Sequence, residues 1–304
     1  MLRQSRATRL SPFQPSNSTT RMHRTAPIAA LFTLASLFCS LAGAQSTCRT
    51  PSDECVVVGK WNISVGLGVG ARSNPVKGES DIPLIVVPQI SYYGKRFFLD
   101  NLEAGFTLHE SDSNSFNLIA APGYDRVFFF RNDLQNIFVS SVTGLVSSPQ
   151  KEDAFAQELP LRKRHTTYLV GPEWTFGYGR ISGQLDALRE VTGEHDGYEV
   201  RGAVAAAIMR PEGSAAQGSL VASTGFTWKS AATVRYYYGI EGLYEPGAAF
   251  NPFIKLGYSR PLAQRWTFTA FAHYEYLDNA IANSPIVAEH GVTTVFAGVS
   301  YKLL

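Results

Sequence analysis

The feature that most constrains the fold is residues 266–277, which read WTFTAFAHYEYL. Counting every second residue from Trp266 gives a set that is aromatic at both ends, and the residues between them are mostly polar. Successive side chains of a β-strand point to opposite faces, so this period of two predicts a strand. Aromatic rings favour the two interfaces of a membrane, and they make a predicted aromatic girdle. Its members are Trp266, Phe268, Tyr274 and Tyr276.

The length of this strand fits a membrane. Ten steps of roughly 3.3 Å, tilted by about 40°, reach about 25 Å along the normal, which is the height of the apolar band of an outer-membrane barrel. A single strand in lipid leaves its N–H and C=O groups unpaired, so it needs partners in a closed ring. The stretch therefore predicts an all-β fold, a transmembrane antiparallel β-barrel.

Composition agrees with a barrel and excludes other classes. The formal net charge is +2 and charged residues make up 17%, which gives no indication of nucleic-acid binding. The mean hydropathy of −0.05 is what a barrel shows when half of each strand faces a polar lumen.

The N-terminus resembles an export signal. Residues 1–24 are basic and lack an acidic residue, an apolar run follows at 26–42, and Ala42-Gly43-Ala44 ends it. This pattern predicts a signal peptide over residues 1–44, and a start at Met22 would place residues 1–21 upstream of the true start. The competing interpretation is a membrane anchor, but the run is short of the roughly 20 residues that a spanning helix needs.

Residues 45–59 are expected to be a periplasmic N-terminal segment. Cys48 and Cys55 bracket a short polar loop there, and an oxidising compartment favours a disulfide between them. Zinc is the alternative, but two thiols with no nearby histidine make a poor site.

Residues 60–304 repeat the alternation and predict one barrel of about twelve strands, with ten or fourteen left open. The expected strands are 61–72, 81–93, 96–108, 115–127, 166–178, 180–190, 198–208, 219–228, 231–239, 252–260, 266–277 and 293–304. Counting back from a periplasmic C-terminus places residues 240–251 and 278–292 outside the cell. The same count puts the long segment 128–165 on the periplasmic side, where it does not fit, unless 136–146 is a further strand.

The parity of each strand also places charges in the lumen. The predicted lumen charges are Glu173, Asp186, Glu199, Arg201, Arg235, Lys255 and Glu275, with Glu103 and His273 on the same faces. Charges of both signs are expected to pair across the lumen and to close it, which predicts a poor pore. The rival, a diffusion channel, predicts a large conductance.

The chain offers few candidates for catalysis. His273 and Glu275 share a strand face and suggest an acid/base pair, but no nucleophile motif accompanies them, so a lumen ion pair or hydrogen bond is the preferred interpretation. His195 lies between Glu194 and Asp196, where a cation site or a solvated turn is expected, and the flanking glycines favour the turn. We predict no catalytic residue, cofactor or metal. A soluble sandwich is disfavoured because Tyr168, Trp174, Phe176 and Tyr178 share one face.

Six short motifs carry a family resemblance. They are PGYD at 122–125, GEHDG at 193–197, YYGI at 237–240, YEPG at 244–247, DNAIANSPIV at 278–287 and GVSY at 298–301. Their order is similar to that of the MltA-interacting protein (MipA/OmpV) family of outer-membrane proteins over residues 60–304. One departure is Leu303, which stands where such barrels usually carry an aromatic residue.

The resemblance implies a non-enzymatic protein in the outer membrane of a Gram-negative bacterium, surrounded by outer-membrane lipid. It implies a scaffold that links a murein hydrolase, a lytic transglycosylase, to a peptidoglycan synthase during cell-wall growth. The alternative that it implies is a porin or an adhesin involved in stress or antibiotic response.

Overall fold

A computed structural model describes residues 58–129, 164–209 and 218–304, all of which belong to one compact unit, Ser46–Leu304. The predicted signal peptide, the Cys48–Cys55 disulfide and the extra strand at 136–146 lie outside the described residues. Among the described residues, no helix is both long enough and apolar enough to cross a membrane.

The described chain is mostly β-strand. The strands are β1 (Trp61–Arg72), β2 (Ile82–Pro83), β3 (Val86–Tyr93), β4 (Phe97–Asp100), β5 (Glu103–Glu110), β6 (Asn114–Pro122), β7 (Tyr168–Tyr178), β8 (Ile181–Glu190), β9 (Tyr198–Met209), β10 (Ser219–Lys229), β11 (Ala249–Ala263), β12 (Trp266–Tyr276) and β13 (Gly291–Lys302). Two short α-helices, α1 (Ala231–Tyr238) and α2 (Asn279–Ala282), and a 3-10 helix (Tyr124–Phe128) lie between strands.

The strands form one closed antiparallel sheet. Each strand pairs with its neighbours in sequence, and β13 returns to pair with β1 from Ser64↔Lys302 to Arg72↔Thr294. β2 and β3 both pair with β1 and are joined by a shift in register, since Leu84 N bonds to Gly70 O while Gly68 N bonds to Ile85 O. Counting β2 and β3 as one bulged strand turns the thirteen segments into a barrel of twelve, as the sequence predicted.

The number was right because two errors cancelled. The expected strand 96–108 is a hairpin, β4 and β5, whose turn holds Asn101 at a φ of 53°. The expected strand 231–239 is instead helix α1, and Ser230 caps it by accepting a hydrogen bond from Thr233 N. Asn tolerates the left-handed conformation that the turn requires, and Ser is a preferred helix N-cap residue. In both places the local sequence therefore carried a signal that the predicted strands ignored.

The corrected strands also settle the position of the long segment. The turns 94–96, 111–113, 179–180 and 264–265 lie at one end of the barrel, here called the short-turn end, together with both ends of the barrel chain. The connections 73–81, 191–197, 230–248 and 277–290 and the described flanks 123–129 and 164–167 of the long segment lie at the other, the long-loop end. The count that placed 128–165 on the opposite side from 240–251 and 278–292 was therefore wrong, because helix α1, which was expected as a strand, shifts the count back from the C-terminus by one strand.

The outer face is apolar along the strands. Val69 is 76% exposed and Ile254 is 63% exposed, while the side chains that alternate with them face the lumen. Trp266, Tyr274 and Tyr276 lie on this outer face with 42%, 44% and 41% exposure, and Phe268 is half-buried. Their role as an interfacial girdle stays a prediction.

The seam that closes the barrel depends on a close approach of two glycines. Gly68 of β1 and Gly298 of β13 are direct partners, and the Phe296 ring lies over both. A Cβ on Gly68 would meet the Ala297 carbonyl oxygen and lie 2.6 Å from Gly298 Cα. Since both obstacles are backbone, the seam has no side chain that can move aside.

We expect Gly68→Ala to destabilise the barrel by about 1–3 kcal/mol, because the added methyl group forces the two seam strands apart. Gly257→Ala is the matched control, since a Cβ at Gly257 in β11 meets nothing within 4 Å. The measurement is the free energy of unfolding in urea, followed by tryptophan fluorescence in detergent micelles. Equal stability of the two variants would contradict the role of the seam.

Candidate functional site

The lumen is the candidate site, and its two ends differ in burial. Along β8 the inward side chains change from Ser182, which is exposed, through Gln184 to buried Asp186, Leu188 and Glu190. The inward residues of β7 and β13 show the same change towards the long-loop end. The lumen is therefore open to solvent at the short-turn end and filled at the long-loop end.

The long-loop end is filled by a cap, defined as the described residues of 73–81, 123–129, 164–167, 191–197, 230–248 and 277–290. Its apolar core combines side chains from several connections. Val76, Val127, Tyr237, Ile281 and Val287 are among its buried members. Burial of large side chains is the main source of stability in such a core, so the cap is a folded element and not a set of separate loops.

A buried ion pair joins the cap to the barrel wall. Lys229 Nζ, at the end of β10, donates to Asp125 Oδ1 at 2.6 Å and Oδ2 at 2.7 Å, and both side chains are almost fully buried. Tyr238 Oη of α1 donates to Asp125 Oδ1 at 2.7 Å. Burial, and next the charge of Asp125, raise the pKa of Tyr238, which keeps this phenol protonated as a donor.

A second carboxylate holds the turn 191–197. Glu190 is buried at the end of β8, and its Oε2 accepts hydrogen bonds from the backbone N–H groups of Gly193, His195 and Asp196 at 3.2–3.4 Å. Thr192 donates to the other oxygen through both its N–H and its hydroxyl group. The carboxylate satisfies backbone donors that would otherwise be unpaired in this tight turn.

The turn places His195 against the cap. The ring centroid of His195 lies 5.1 Å from that of Tyr236 and 5.9 Å from that of Tyr237, and Nδ1 accepts a hydrogen bond from Gly197 N at 3.0 Å. The preferred expectation of a solvated turn was therefore wrong, because the ring is half-buried among tyrosines. Burial lowers the pKa of His195, although the carboxylates of Glu190, Glu199 and Asp125 act in the opposite direction.

The remaining cap connections bond to one another. Asn74 Nδ2 donates to Phe128 O at 2.9 Å, and Ser284 Oγ donates to Tyr238 O at 2.6 Å. Asp278 caps α2 by accepting from Ala280 N and also accepts from Phe250 N of β11. These contacts link the first long connection to the second and the fourth to the last.

Below the cap, the lumen contains a chamber of about 700 Å³. Its wall carries charged side chains of both signs, of which Glu103, Asp186, Arg201, Lys255 and Glu275 are examples. This volume lies within the range of small-molecule sites in proteins, about 300–1,000 Å³.

Most of the predicted lumen charges face the lumen, and all of these except Glu173 line the chamber. Glu173, Asp186, Glu199, Arg201, Lys255 and Glu275 all lie at inward positions of their strands. Arg235 was wrong, because it belongs to α1 on the cap, where its side chain is half-exposed and lies 4.0 Å from Glu245. Arg235 had been placed in the lumen because residues 231–239 were expected to form a strand with alternating faces.

The predicted closure of the lumen by ion pairs was also wrong. Among the residues that the structure describes, the predicted lumen charges form one ion pair, Arg201–Glu199, at 2.8 Å along a single strand. Apolar packing of the cap closes the long-loop end instead. His273 packs against Phe253 with ring centroids 5.3 Å apart, and Glu275 accepts a hydrogen bond from Asn251, so the pair suggested by their spacing is not formed in the described chain.

The motifs that carried the resemblance lie mainly in this cap. The 122–125 motif supplies Asp125, the 193–197 motif is the turn on Glu190, and 237–240, 244–247 and 278–287 follow or form the cap helices. The sequence interpretation missed Asp125, Lys229 and Glu190. Asp125 stands in a noted motif, but nothing in the local sequence indicates a partner 104 positions away.

A closed ring of twelve strands with an apolar outer face defines an outer-membrane β-barrel, located in the outer membrane of a Gram-negative bacterium. The chain belongs to the family described as MltA-interacting protein MipA, whose sequence model matches residues 65–303. Two relatives come from Escherichia coli (strain K12). The putative outer membrane protein YiaT is 24% identical over 249 residues, with 79% of this chain and 90% of the relative covered. The MltA-interacting protein is 23% identical over 253 residues, with the same coverage.

Solved structures are more distant in sequence. The NanC porin matches with a TM-score of 0.41 and 10% identity, covering 80% of this chain and 100% of that one. A porin refined at 1.8 Å resolution matches with a TM-score of 0.34 and 7% identity, again covering 80% and 100% of the two chains.

We expect Lys229→Met to lower the free energy of unfolding by roughly 3–5 kcal/mol, because it leaves the Asp125 carboxylate buried without its cation. Adding Asp125→Asn should restore part of the loss, since the buried charge is then absent. Lys77→Met is the control, because this exposed lysine donates to Pro285 O at 2.8 Å and a surface contact is worth about 1 kcal/mol or less. Urea unfolding of all three in micelles is the measurement, and equal losses for K229M and K77M would contradict the anchoring role.

His195 makes the stability of the cap depend on pH. Its folded pKa lies below the ordinary value of 6.5, so the unfolded chain binds the proton more readily. The contribution is complete above about pH 6.5 and is lost as the pH falls towards the folded pKa. We expect the melting temperature to fall between pH 7.5 and pH 5 and to fall less in His195→Asn. His290→Asn, on an exposed histidine at the same end, should keep the wild-type slope, and an unchanged slope in H195N would refute the assignment.

Proposed function

We propose that this protein is a non-enzymatic scaffold that brings a lytic transglycosylase and a peptidoglycan synthase together at the periplasmic face of the outer membrane. The observation that carries the proposal is the packed cap in a member of a family described by interaction with MltA. A barrel filled at one end is suited to present a surface and poorly suited to pass solutes. The relative that is named for this interaction spans 79% of the chain.

The available partner surface is the short-turn end, which faces the periplasm in barrels with short periplasmic turns. Its exposed side chains include several cations: Lys60, Lys95, Arg96, Arg265 and Lys302. They follow one arc around the barrel, from the 94–96 turn through the start of β1 and the end of β13 to the 264–265 turn. Glu110, the last residue of β5, and Asp112, in the turn after it, lie outside this arc. The arc supports an acidic partner surface, since complementary charge accelerates association.

The absence of catalysis is part of the proposal. His273 and Glu275, the pair that most suggested acid/base chemistry, contact Phe253 and Asn251 instead of each other. A general base needs hydrogen-bond reach to the proton that it removes and a partner that orients it.

The test is a pull-down from solubilised envelopes with the purified protein as bait, scored by mass spectrometry. We expect murein hydrolases and synthases to be recovered. Recovery should fall several-fold with the triple variant K60E/K95E/K302E, because the acidic partner surface would meet like charge. The matched control is K77E, a single reversal at the long-loop end.

Planar bilayers provide the second readout. The scaffold predicts conductance close to the bilayer background, because the cap core is apolar and packed. If no wall enzyme is recovered and the barrel shows a large ohmic conductance, the protein is a diffusion channel and the scaffold is wrong.

A further inference from the structure

One wall of the lumen carries three carboxylates that form no ion pair within the described part of the chain, and two of them, Glu103 and Asp186, line the chamber. Glu173 of β7 and Asp186 of β8 are direct cross-strand partners and are both buried, at 5% and 2% exposure. Glu103 of β5 lines the same chamber. Arg201 of β9 lies beside Asp186 but donates twice to Glu199. Buried carboxylates without a cation are costly, so this wall lacks a partner.

The polar neighbours of these carboxylates point to the same missing partner. Asn117 Nδ2 donates to Glu173 at 2.6 Å, and Gln184 Nε2 donates to Asp186 at 3.0–3.1 Å. The Asn117 side chain is 4% exposed, and its Oδ1 has no hydrogen-bond partner among the described residues. A buried acceptor left unpaired beside carboxylates indicates that a hydrogen-bond donor is absent from this wall.

The opposite charge lies across the chamber. Lys255 of β11 is exposed into the lumen, with β8, β9 and β10 between its strand and β7 in the ring. Its Nζ lies 5.4 Å from the centre of the Phe271 ring and forms no salt bridge with a described residue. The chamber therefore has carboxylate acceptors on one wall and, on another, the Lys255 amino group, which forms no salt bridge with a described residue.

We propose that the chamber binds a zwitterionic solute from the periplasmic side, with its ammonium group at Glu103 and Asp186 and its carboxylate at Lys255. A short peptide is the simplest solute with two such groups held apart. A metal ion is a poorer fit, since no group of three His, Cys, Asp or Glu among the described residues is arranged to hold one. Entry through the short-turn end follows from the exposure of the inward residues there. The proposal does not rest on the scaffold role, because no protein partner takes part.

Isothermal titration calorimetry of the detergent-purified protein tests it with three probes. They are tri-alanine, N-acetyl-tri-alanine, which lacks the cation, and tri-alanine amide, which lacks the anion. Tri-alanine should bind at least about tenfold more tightly than either blocked peptide, because each blocked form loses a charge-assisted hydrogen bond.

Two variants assign the two walls. Asp186→Asn should weaken tri-alanine by about tenfold and remove its advantage over the acetylated peptide, while its advantage over the amide stays. Lys255→Met should do the reverse. Glu241→Gln, on an exposed acid in the cap, is the control and should bind like the wild type. Heat-shifted migration in gels checks that each variant is folded.

Several results would overturn the proposal. Absence of binding by all three probes would exclude the peptide, and equal binding of the three would exclude recognition of either charge. Tri-alanine amide binding as well as tri-alanine would mean that the acidic wall alone binds, so that the solute is a simple cation. Unchanged affinity in both D186N and K255M would place any binding outside the chamber.

Discussion

The contact between Lys229, Asp125 and Tyr238 is the constraint on which the form of the lumen depends. It joins the 3-10 helix after β6 to the last residue of β10 and the end of α1, which lie 104 and 113 positions further along the chain. A buried charge pair is a weak source of net stability, but removal of one partner is costly, so it fixes which surfaces meet. The apolar cap core then forms on the arrangement that the pair selects.

With the cap in place, the inner face of the barrel divides into a buried part and a solvent-exposed part. Towards the long-loop end the inward side chains are buried and their charges are bonded, as Asp125 and Glu190 show. Towards the short-turn end they are exposed to solvent, as Ser182 shows, and Lys255, near the middle of β11, forms no ion pair with a described residue. Because apolar packing closes the barrel, charged side chains in the lumen are left without ion-pair partners. If ion pairs had closed it, these side chains would have been paired with one another.

Periodicity determined what the sequence could predict. The alternation of 266–276 fixed a strand, its outer face and the inward direction of Glu275, because a side chain in a strand has only two directions. The same rule failed at 231–239, where aromatic and β-branched residues suggested a strand while the Ser230 cap and tertiary packing produced a helix. Parity predicts which face a side chain lies on, but it does not predict what that side chain contacts. It placed Glu173 and Lys255 in the lumen, whereas only the folded barrel shows which charges form no ion pair.

The two proposed binding surfaces share one opening. The basic arc, Lys60, Lys95, Arg96, Arg265 and Lys302, lies along part of the short-turn end, and the chamber opens to solvent at that same end. A protein docked on the arc would lie over the mouth of the chamber and would control access to it. If the docked state also binds the solute more tightly, linkage requires the solute to strengthen docking by the same factor. The proposed scaffold would then have a route by which a periplasmic solute regulates its assembly.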